Sequence, residues 1–260
     1  MQDRSRLTVV ATLAVTILCH GPSAGMAQMA GLDMQSAKMT QATMTRADVE
    51  DVLARATPSA PANFTLKSLN GLDLSGLDFS GATLRSAYLN GTKFVGAKLD
   101  GAILDQAWAL KADFTNASLK KASLFQAQMM DADFDDADLS GGRLTADFSR
   151  ASMVKANMEG ANLSADMKNQ SMGMMRGILN SAKLRGANLK AANLSRAQAK
   201  FADFTDVSFE GADMSSVEAQ GAKFTGANVA GADFSGMRIQ SADMAGTKGT
   251  PVHADKVLLR

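Results

Sequence analysis

The sequence predicts a solenoid, a rod built from short stacked coils, on the basis of three observations. Large apolar residues recur every five positions from Phe64 to Leu144, and sixteen of these seventeen positions hold Leu, Phe or Met. The position two residues earlier is Ala in twelve of the seventeen units. All four prolines lie outside the repeated stretch, at Pro22, Pro58, Pro61 and Pro251. A helix requires a period near 3.6 and a strand a period of about 2, so a strict period of five indicates coils that bury their faces on one another.

The repeated unit reads Ala, then Asp or Asn, then Leu or Phe, followed by two small or polar residues. Residues 112–116 and 187–191 are two examples. This pattern resembles that of the pentapeptide-repeat family, and the resemblance covers roughly seven-tenths of the chain, residues 62–246. It implies an all-β fold, a right-handed quadrilateral β-helix with four units per coil and the Leu or Phe and Ala side chains inside. About nine coils spaced roughly 4.8 Å apart would form a rod roughly 44 Å long.

Residues 1–27 have the layout of a secretory signal peptide. A basic start, an apolar run and a small-residue cleavage site follow one another, at Arg4 and Arg6, Leu7–Cys19, and Gly25-Met26-Ala27 before Gln28. The apolar run of about 13 residues is too short to span a bilayer. We therefore expect a periplasmic or secreted protein without a stable membrane anchor, and an uncleaved amphiphilic tail is the alternative. The only Cys, Cys19, lies within residues 1–27 and would be removed with the signal peptide. A mature chain without Cys suits an oxidising compartment.

The segments that flank the repeats are predicted to be caps and linkers. A short amphipathic helix is expected within residues 45–56, with a linker to residue 61, and it would cover the first coil. Its capping pair and apolar face are Thr45, Asp48, Val49, Val52 and Leu53. Four degenerate repeats are the alternative, because Met34, Met39, Met44 and Val49 keep the frame of Phe64. Residues 28–44 are expected to be flexible, and residues 247–260 are expected to cover the last coil.

The repeat frame breaks once, between Leu144 and Leu179. Leu144 is followed by Phe148 four residues later instead of five, and the original frame returns at Leu179. Residues 164–176 lack a convincing repeat, so we expect a bulge or short loop within an irregular region at 144–178. A structural irregularity is the first interpretation. A functional loop is the second, because loops often carry binding sites.

The sequence contains no recognisable pattern of catalytic or metal-ligating residues. His253 is the only His after the leader, and no motif for nucleophilic catalysis accompanies it. The sequence lacks a Gly-rich phosphate loop and a His/Cys cluster at metal spacing. Most Asp residues occupy the unit position where Asp or Asn is expected. We therefore predict a protein that is not an enzyme and that uses no cofactor.

Two alternative functions stay open at this point. Thioethers are soft ligands for Cu(I), so a Met-rich periplasmic copper-handling protein is the first alternative. The relevant residues are Met29, Met34, Met39, Met44, Met172, Met174 and Met175. The family also contains cytoplasmic DNA mimics that bind type II topoisomerases. This second alternative is less expected, because the chain without its leader is electrically neutral, which also argues against nucleic-acid binding.

The favoured function is that of a non-catalytic scaffold that presents one face of a rigid rod to a protein partner. Tyr88 and Trp108, the only Tyr and Trp, are twenty residues apart and would therefore stack in successive coils. Exposed apolar area marks interfaces, and aromatic residues are enriched among binding hot spots. Local repacking, with Trp108 or Leu110 filling space beside Ala109, is the alternative. The candidate partner-binding residues are Tyr88, Ile103, Trp108, Leu110, Phe125 and Met130. Because the family often dimerises through an end of the helix, a homodimer is a further expectation.

Overall fold

The repeated units form a four-sided solenoid in the computed structural model, which describes residues 33–168 and 175–258. The predicted signal peptide, residues 1–27, lies outside the described residues. Helix α1 spans Ala37–Thr40, helix α2 spans Arg46–Ala54, and a 3-10 helix spans Ala254–Lys256. The coils themselves pair through isolated parallel β-bridges rather than through long strands. All described residues belong to one compact unit, Asp33–Arg260.

Each coil contributes four bridged residues, one on each face of the solenoid. The bridged residue is the one immediately before the large apolar residue of the unit. Faces 1, 2, 3 and 4 begin with the bridges Asn63↔Thr83, Ser68↔Tyr88, Asp73↔Lys93 and Asp78↔Lys98. Bridged partners in these coils lie twenty residues apart, so one coil comprises four units. On face 1, nine bridges in succession join Asn63 to Val252.

Every regular unit turns its corner with the same backbone conformation. At the first corner, the Lys67 amide N–H donates to the Phe64 carbonyl at 3.0 Å and closes a β-turn. The third residue of that turn, Leu66, has a φ of 61°, and Gly71 has a φ of 68° at the next corner. A positive φ at this position is typical of a type II turn, where Gly carries no steric penalty. The period of five therefore comes from three extended residues along a face and two residues in a corner.

The inward side chains form one continuous core. The Phe94 and Phe114 rings are nearly parallel with centroids 5.0 Å apart, and the Phe114 and Phe134 rings are 4.8 Å apart. Offset stacking at such distances adds to the gain from burial alone. Leu119 and Ala112 represent the two inward positions of the unit, and both are buried. The inward positions that the sequence predicts are thus occupied as expected.

Helix α2 begins where the capping pattern predicts it. The Asp48 amide N–H donates to Thr45 Oγ1 at 3.2 Å, and the Thr45 amide N–H donates to Asp48 Oδ2 at 2.8 Å. Val49 is fully buried in the same core cluster as Phe64, and Val52 packs against that cluster. Reciprocal capping satisfies amide groups that the first turn of a helix leaves without partners.

The N-terminal segment differs from the flexible stretch predicted for residues 28–44. Its described part, residues 33–44, lies against the first two coils, and we name this part the strap. Met39 of the strap is buried. The side-chain amides of Asn70 and Asn90 each donate to a strap carbonyl at 3.0 Å. The composition of the strap does not reveal this order, because most of the side chains that hydrogen-bond to it belong to the coils.

The irregular region begins with a unit that is one residue short. At its corner the Ala146 amide N–H donates to the Leu144 carbonyl at 2.9 Å, which closes a three-residue turn. Bridges that cross this corner, beginning with Gln128↔Asp147, therefore span 19 residues. The shift in frame at Leu144 is thus a tighter corner, and the solenoid continues through it.

An insertion follows in the next coil. Bridges from Asp147↔Ile178 to Asn162↔Asn193 span 31 residues, eleven more than in a regular coil. The Asp166 amide N–H donates to the Met175 carbonyl at 2.7 Å and closes the base of the insertion. Its central residues, 169–174, lie outside the described part of the chain. The four bridge columns continue on both sides of the insertion, so the extra residues leave the coil path and return to it.

Candidate partner-binding face

The structure brings Tyr88 and Trp108 together on adjacent rungs of face 2. The two residues are bridged, with the Trp108 carbonyl accepting from the Leu89 amide at 2.6 Å. The Trp108 amide donates to the Ala87 carbonyl at 2.9 Å. Both aromatic side chains are half-buried. The twenty-residue spacing therefore places them as the sequence predicts, one above the other.

The other candidate residues lie on both sides of this aromatic pair. Ile103 is a rung of face 1, Phe125 lies in the corner between faces 1 and 2, and Leu110 lies in the corner after face 2. All three side chains are half-buried. The candidate residues thus form a stripe in the second to fourth coils that covers face 2, the corners that border it and Ile103 on face 1.

Met130 differs from the expectation, because its side chain is only 2% exposed. Several neighbouring outward positions are also buried, namely Gln128, Thr145, Asp147 and Ser149. The described ends of the insertion reach this region: Thr145 Oγ1 donates to the Ser164 carbonyl at 3.2 Å, and the Gln126 side chain contacts the Met175 sulfur. An outward position of the repeat is therefore not exposed where the insertion packs, and Met130 is unavailable to a partner.

Phe125 marks the end of the stripe that borders the insertion. The Arg143 guanidinium lies 3.7 Å from the centroid of the Phe125 ring, a cation–π contact. Arg143 also lies 3.8 Å from the Asp166 carboxylate at the base of the insertion. A cleft of about 470 Å³ lies beside this contact, lined by Arg143, Thr145, Asn162, Ser164, Ala165, Asp166, Met167 and Lys168. This end of the stripe is thus occupied by contacts within the chain.

Tyr88 marks the opposite end, where the strap lies. The Lys38 ammonium is 5.0 Å from the centroid of the Tyr88 ring. Asn90 connects the strap to the stripe, because its side-chain amide donates to the Met39 carbonyl and its side-chain oxygen accepts from the Leu110 amide, both at 3.0 Å. The centre of the stripe, between the strap and the insertion, consists of Ile103, Trp108 and Leu110.

A ladder of polar side chains runs along one border of the stripe. Ser86 Oγ donates to Gln106 Oε1 at 3.3 Å, and Gln106 Nε2 donates to Gln126 Oε1 at 2.9 Å. These residues occupy equivalent corner positions in three successive coils. An apolar centre bordered by hydrogen-bonded polar groups is the usual composition of a protein interface.

Leu66 and Phe201 are prominent exposed apolar residues that sequence reasoning did not choose. They are 65% and 61% exposed and occupy corner positions with φ of 61° and 58°. The Phe201 ring lies over Gly221 in the next coil, where an added Cβ would approach the ring to 2.6 Å. Both residues could have been recognised in the sequence, because a bulky side chain is unusual at a corner position that favours Gly.

The described methionines bear on the copper alternative. Met129, Met153, Met158 and Met214 are buried at inward positions, where they replace Leu in the core. Met172 and Met174 lie outside the described residues. Within 33–168 and 175–258, no group of three or more His, Cys, Asp or Glu side chains could hold a metal ion.

None of the helices in these ranges is long and apolar enough to cross a membrane.

Two titratable sites have clear physical causes for their pKa values. Burial acts to raise the pKa of Glu218, but the nearby Arg176 and Lys200 side chains outweigh it and leave the pKa lowered. Glu218 lies 3.1 Å from Arg176 and 3.2 Å from Lys200. The hydrogen bond between His253 and Asp233, at 2.9 Å, lowers the pKa of the Asp233 carboxyl. Both sites join residues from different coils in the second half of the solenoid.

Comparison with known families now identifies the repeat. The family model for pentapeptide repeats matches eight copies, over residues 68–106, 111–145, 146–165, 178–218 and 219–248. The chain belongs to the pentapeptide-repeat family. The unmatched stretch between residues 165 and 178 coincides with the insertion. Membership implies a right-handed β-helix solenoid, in agreement with the four columns of parallel bridges.

Comparisons with individual proteins give looser matches. No curated protein matches the chain. HetL of the cyanobacterium Nostoc, involved in heterocyst differentiation regulation, is 29% identical, with 72% of this chain and 84% of HetL covered and a TM-score of 0.32. QnrB1, a plasmid-mediated fluoroquinolone resistance protein, is 16% identical, with 74% of this chain and 93% of QnrB1 covered and a TM-score of 0.33. A pentapeptide repeat protein from the Arabidopsis thaliana thylakoid lumen is 27% identical, with coverage of 56% and 68% and a TM-score of 0.14.

Proposed function

We propose that this protein is a non-catalytic, exported scaffold that binds a protein partner through the stripe on face 2. The rod comprises about nine coils, and α2 covers its first coil. The observation that carries the proposal is the pairing of Tyr88 and Trp108 on adjacent rungs, with Ile103 and Leu110 beside them. The coils present these side chains on a backbone that is already ordered, so binding does not require the chain to be ordered first.

The other faces of the same coils provide an internal comparison. On face 3 the successive rungs are Asp73, Lys93 and Asp113, and on face 4 they are Asp78, Lys98 and Ser118. Coil geometry therefore does not require apolar residues at these outward rungs. Contiguous apolar area on one face, with Tyr and Trp on adjacent rungs, is the composition expected of a binding surface.

Affinity capture with the purified protein as bait tests this proposal. Trp108→Ala should reduce the amount of a specific partner captured from a periplasmic extract by about tenfold or more, as expected of a hot-spot residue. Lys98→Ala, on face 4 of the preceding coil, is the matched control and should capture as much as the unaltered protein. Equal capture by both variants would remove the basis of the proposal.

Trp108 fluorescence distinguishes partner binding from local repacking beside Ala109. In the unliganded monomer, we expect red-shifted emission that acrylamide quenches readily. A blue-shifted, quencher-resistant signal would instead support repacking.

Export is the second part of the proposal, supported by the basic and apolar layout of residues 1–27. Mass spectrometry of the native protein should find an N-terminus near Gln28. Recovery of the intact chain, beginning at Met1, from the cytosol would contradict export.

The C-terminal end of the rod is the end we propose for a homodimer. Val252 and Leu258 are 45% and 44% exposed on the last rungs, whereas Val49 of α2 is buried against the first coil. Analytical ultracentrifugation of Leu258→Asp should show a monomer where the unaltered protein is dimeric. A dimer that persists in this variant, or a monomeric unaltered protein, would argue against this end.

A further inference from the structure

We propose that the strap is a built-in occupant of the partner-binding stripe, and that the partner binds as a short peptide with a basic residue followed by an apolar one. This inference rests on the proposed function, because it specifies the chemistry of the partner and where it first contacts the stripe. Three features of the strap carry it: its main-chain contacts, its two side-chain contacts and its limited regular structure.

The coils bind the strap mainly through its backbone. Asn70 Nδ2 donates to the Lys38 carbonyl at 3.0 Å and to the Gln41 carbonyl at 3.3 Å. Ser68 Oγ donates to the Gln41 carbonyl, and the Ser68 carbonyl accepts from the Thr43 amide at 2.8 Å. Hydrogen bonds to main-chain groups can be made by any peptide that adopts the same backbone conformation, and they supply affinity that does not depend on side-chain identity.

Two adjacent strap side chains supply the specific contacts. The Lys38 ammonium lies 5.0 Å from the centroid of the Tyr88 ring, and Met39 is 7% exposed. A cation above an aromatic ring is favoured by the charge distribution of the ring, and a thioether adapts readily to an apolar site. The stripe therefore accommodates a basic residue followed by an apolar residue at its Tyr88 end.

The path of the strap points towards the half-buried centre of the stripe. Thr43 contacts Ser68 in the first coil, whereas Met39 contacts Asn90 in the second. The strap thus crosses from one coil to the next along face 2. The following rung in this direction holds Trp108, which is half-exposed with the strap in place. A partner peptide that replaces the strap can continue along the same path and contact Trp108 as well.

The strap has less regular structure than α2. Helix α1 within it has four residues and no side-chain capping bond, whereas α2 has nine residues and a capping box. Met39 is the one buried side chain within residues 33–44. Segments with few buried contacts open locally at low cost while the rest of the protein stays folded. Displacement of the strap therefore leaves the coils intact.

A labelled peptide with the sequence of residues 33–44 tests the inference by fluorescence anisotropy. The full-length chain carrying Met39→Asp should release its own strap and bind this peptide at least tenfold more tightly than the unaltered chain, whose strap competes. A peptide carrying Lys38→Glu and Met39→Asp should bind at least tenfold more weakly to the same protein. Equal binding of the peptide to both proteins, or of both peptides to the Met39→Asp chain, would overturn the inference.

Adding Asn90→Ala to the Met39→Asp chain should weaken peptide binding about tenfold, because the donor to the strap backbone is lost. The altered peptide tests the same site without changing the protein, so it remains decisive if Asn90→Ala impairs folding.

Partner capture separates the two proposals. If capture depends on Trp108 but the peptide does not bind the Met39→Asp chain, the strap inference fails alone. If the peptide binds as expected but capture does not depend on Trp108, the proposed function fails.

Discussion

Face 2 differs between the two halves of the solenoid, although its bridge pattern is the same. Before the insertion its rungs include Tyr88 and Trp108, whereas after the insertion they include Gln198, Glu218 and Arg238. The first half presents two aromatic side chains on adjacent rungs. The second presents a carboxylate held between two cations. The comparison teaches that the repeat determines where an outward side chain stands, while its chemistry is free to vary from coil to coil.

The largest expected effect tests whether the two halves share one architecture. Leu119 lies in the first half and Leu189 in the second, and both are fully buried at inward positions. Each Leu→Ala substitution should lower the free energy of unfolding by about 2–5 kcal/mol, because a cavity replaces the side chain. Chemical denaturation measures this directly.

Lys120→Ala is the matched control, because this side chain is 53% exposed and lies next to Leu119 in sequence. It should change stability by less than about 0.5 kcal/mol. If one half tolerated its Leu→Ala change as well as the control, the two halves would not be equivalent.

An intermediate effect is expected at the junction of the two halves. Gly177 occupies the unit position that Ala usually holds, but an added Cβ would lie 2.7 Å from the Leu163 carbonyl oxygen. Gly177→Ala should therefore destabilise the fold by about 1–3 kcal/mol through overpacking, measured by thermal or chemical unfolding. At Ala187, by contrast, the same Cβ is native and buried. Unchanged stability of the variant would mean that the insertion moves without cost and that the junction is not rigid.

The smallest effect concerns the charged part of face 2. Because the pKa of Glu218 is lowered from its ordinary value of 4.5 in the folded state, its contribution to stability is present above that value. This contribution is lost as the pH falls through the lowered pKa. Glu218→Gln should cost about 1 kcal/mol near pH 7, since the pair is only partly screened. The difference from the unaltered protein should vanish in acid.

Glu210→Gln provides the control for this pH dependence. Glu210 pairs with Lys190 at 3.0 Å, but both side chains are about half exposed, at 48% and 47%. Loss of this pair should have little effect on stability at any pH. Equal effects of the two substitutions would show that the Glu218 site is no more stabilising than an ordinary surface ion pair.

Most of the fold could be predicted from the sequence, because its determinants are local. Each unit repeats the same inward residues and the same corner, so the period alone gives the inward positions. The four units per coil that the family resemblance implies then put Tyr88 and Trp108 on adjacent rungs. The shift after Leu144 was also visible as a change in frame. In these respects, neighbouring residues decide the structure.

The candidate face was predicted less completely, because its limits depend on residues far away in sequence. Met130 is buried in a region that the insertion reaches, and Tyr88 is partly covered by Lys38 of the strap. Neither contact has a periodic signal. A pattern that shows which side chains point outward cannot show which outward side chains a non-repeating segment will cover.

The twenty-residue coil also gives the stripe a rotational phase. Every five residues advance the chain by a quarter turn, so a deletion of one unit between Tyr88 and Trp108 would move them to different faces. A deletion or duplication of a whole coil would preserve the phase and change only the length of the rod. Such a protein can therefore vary in length by whole coils while its binding surfaces stay aligned. A change of a single unit would instead place the two parts of a surface on different faces.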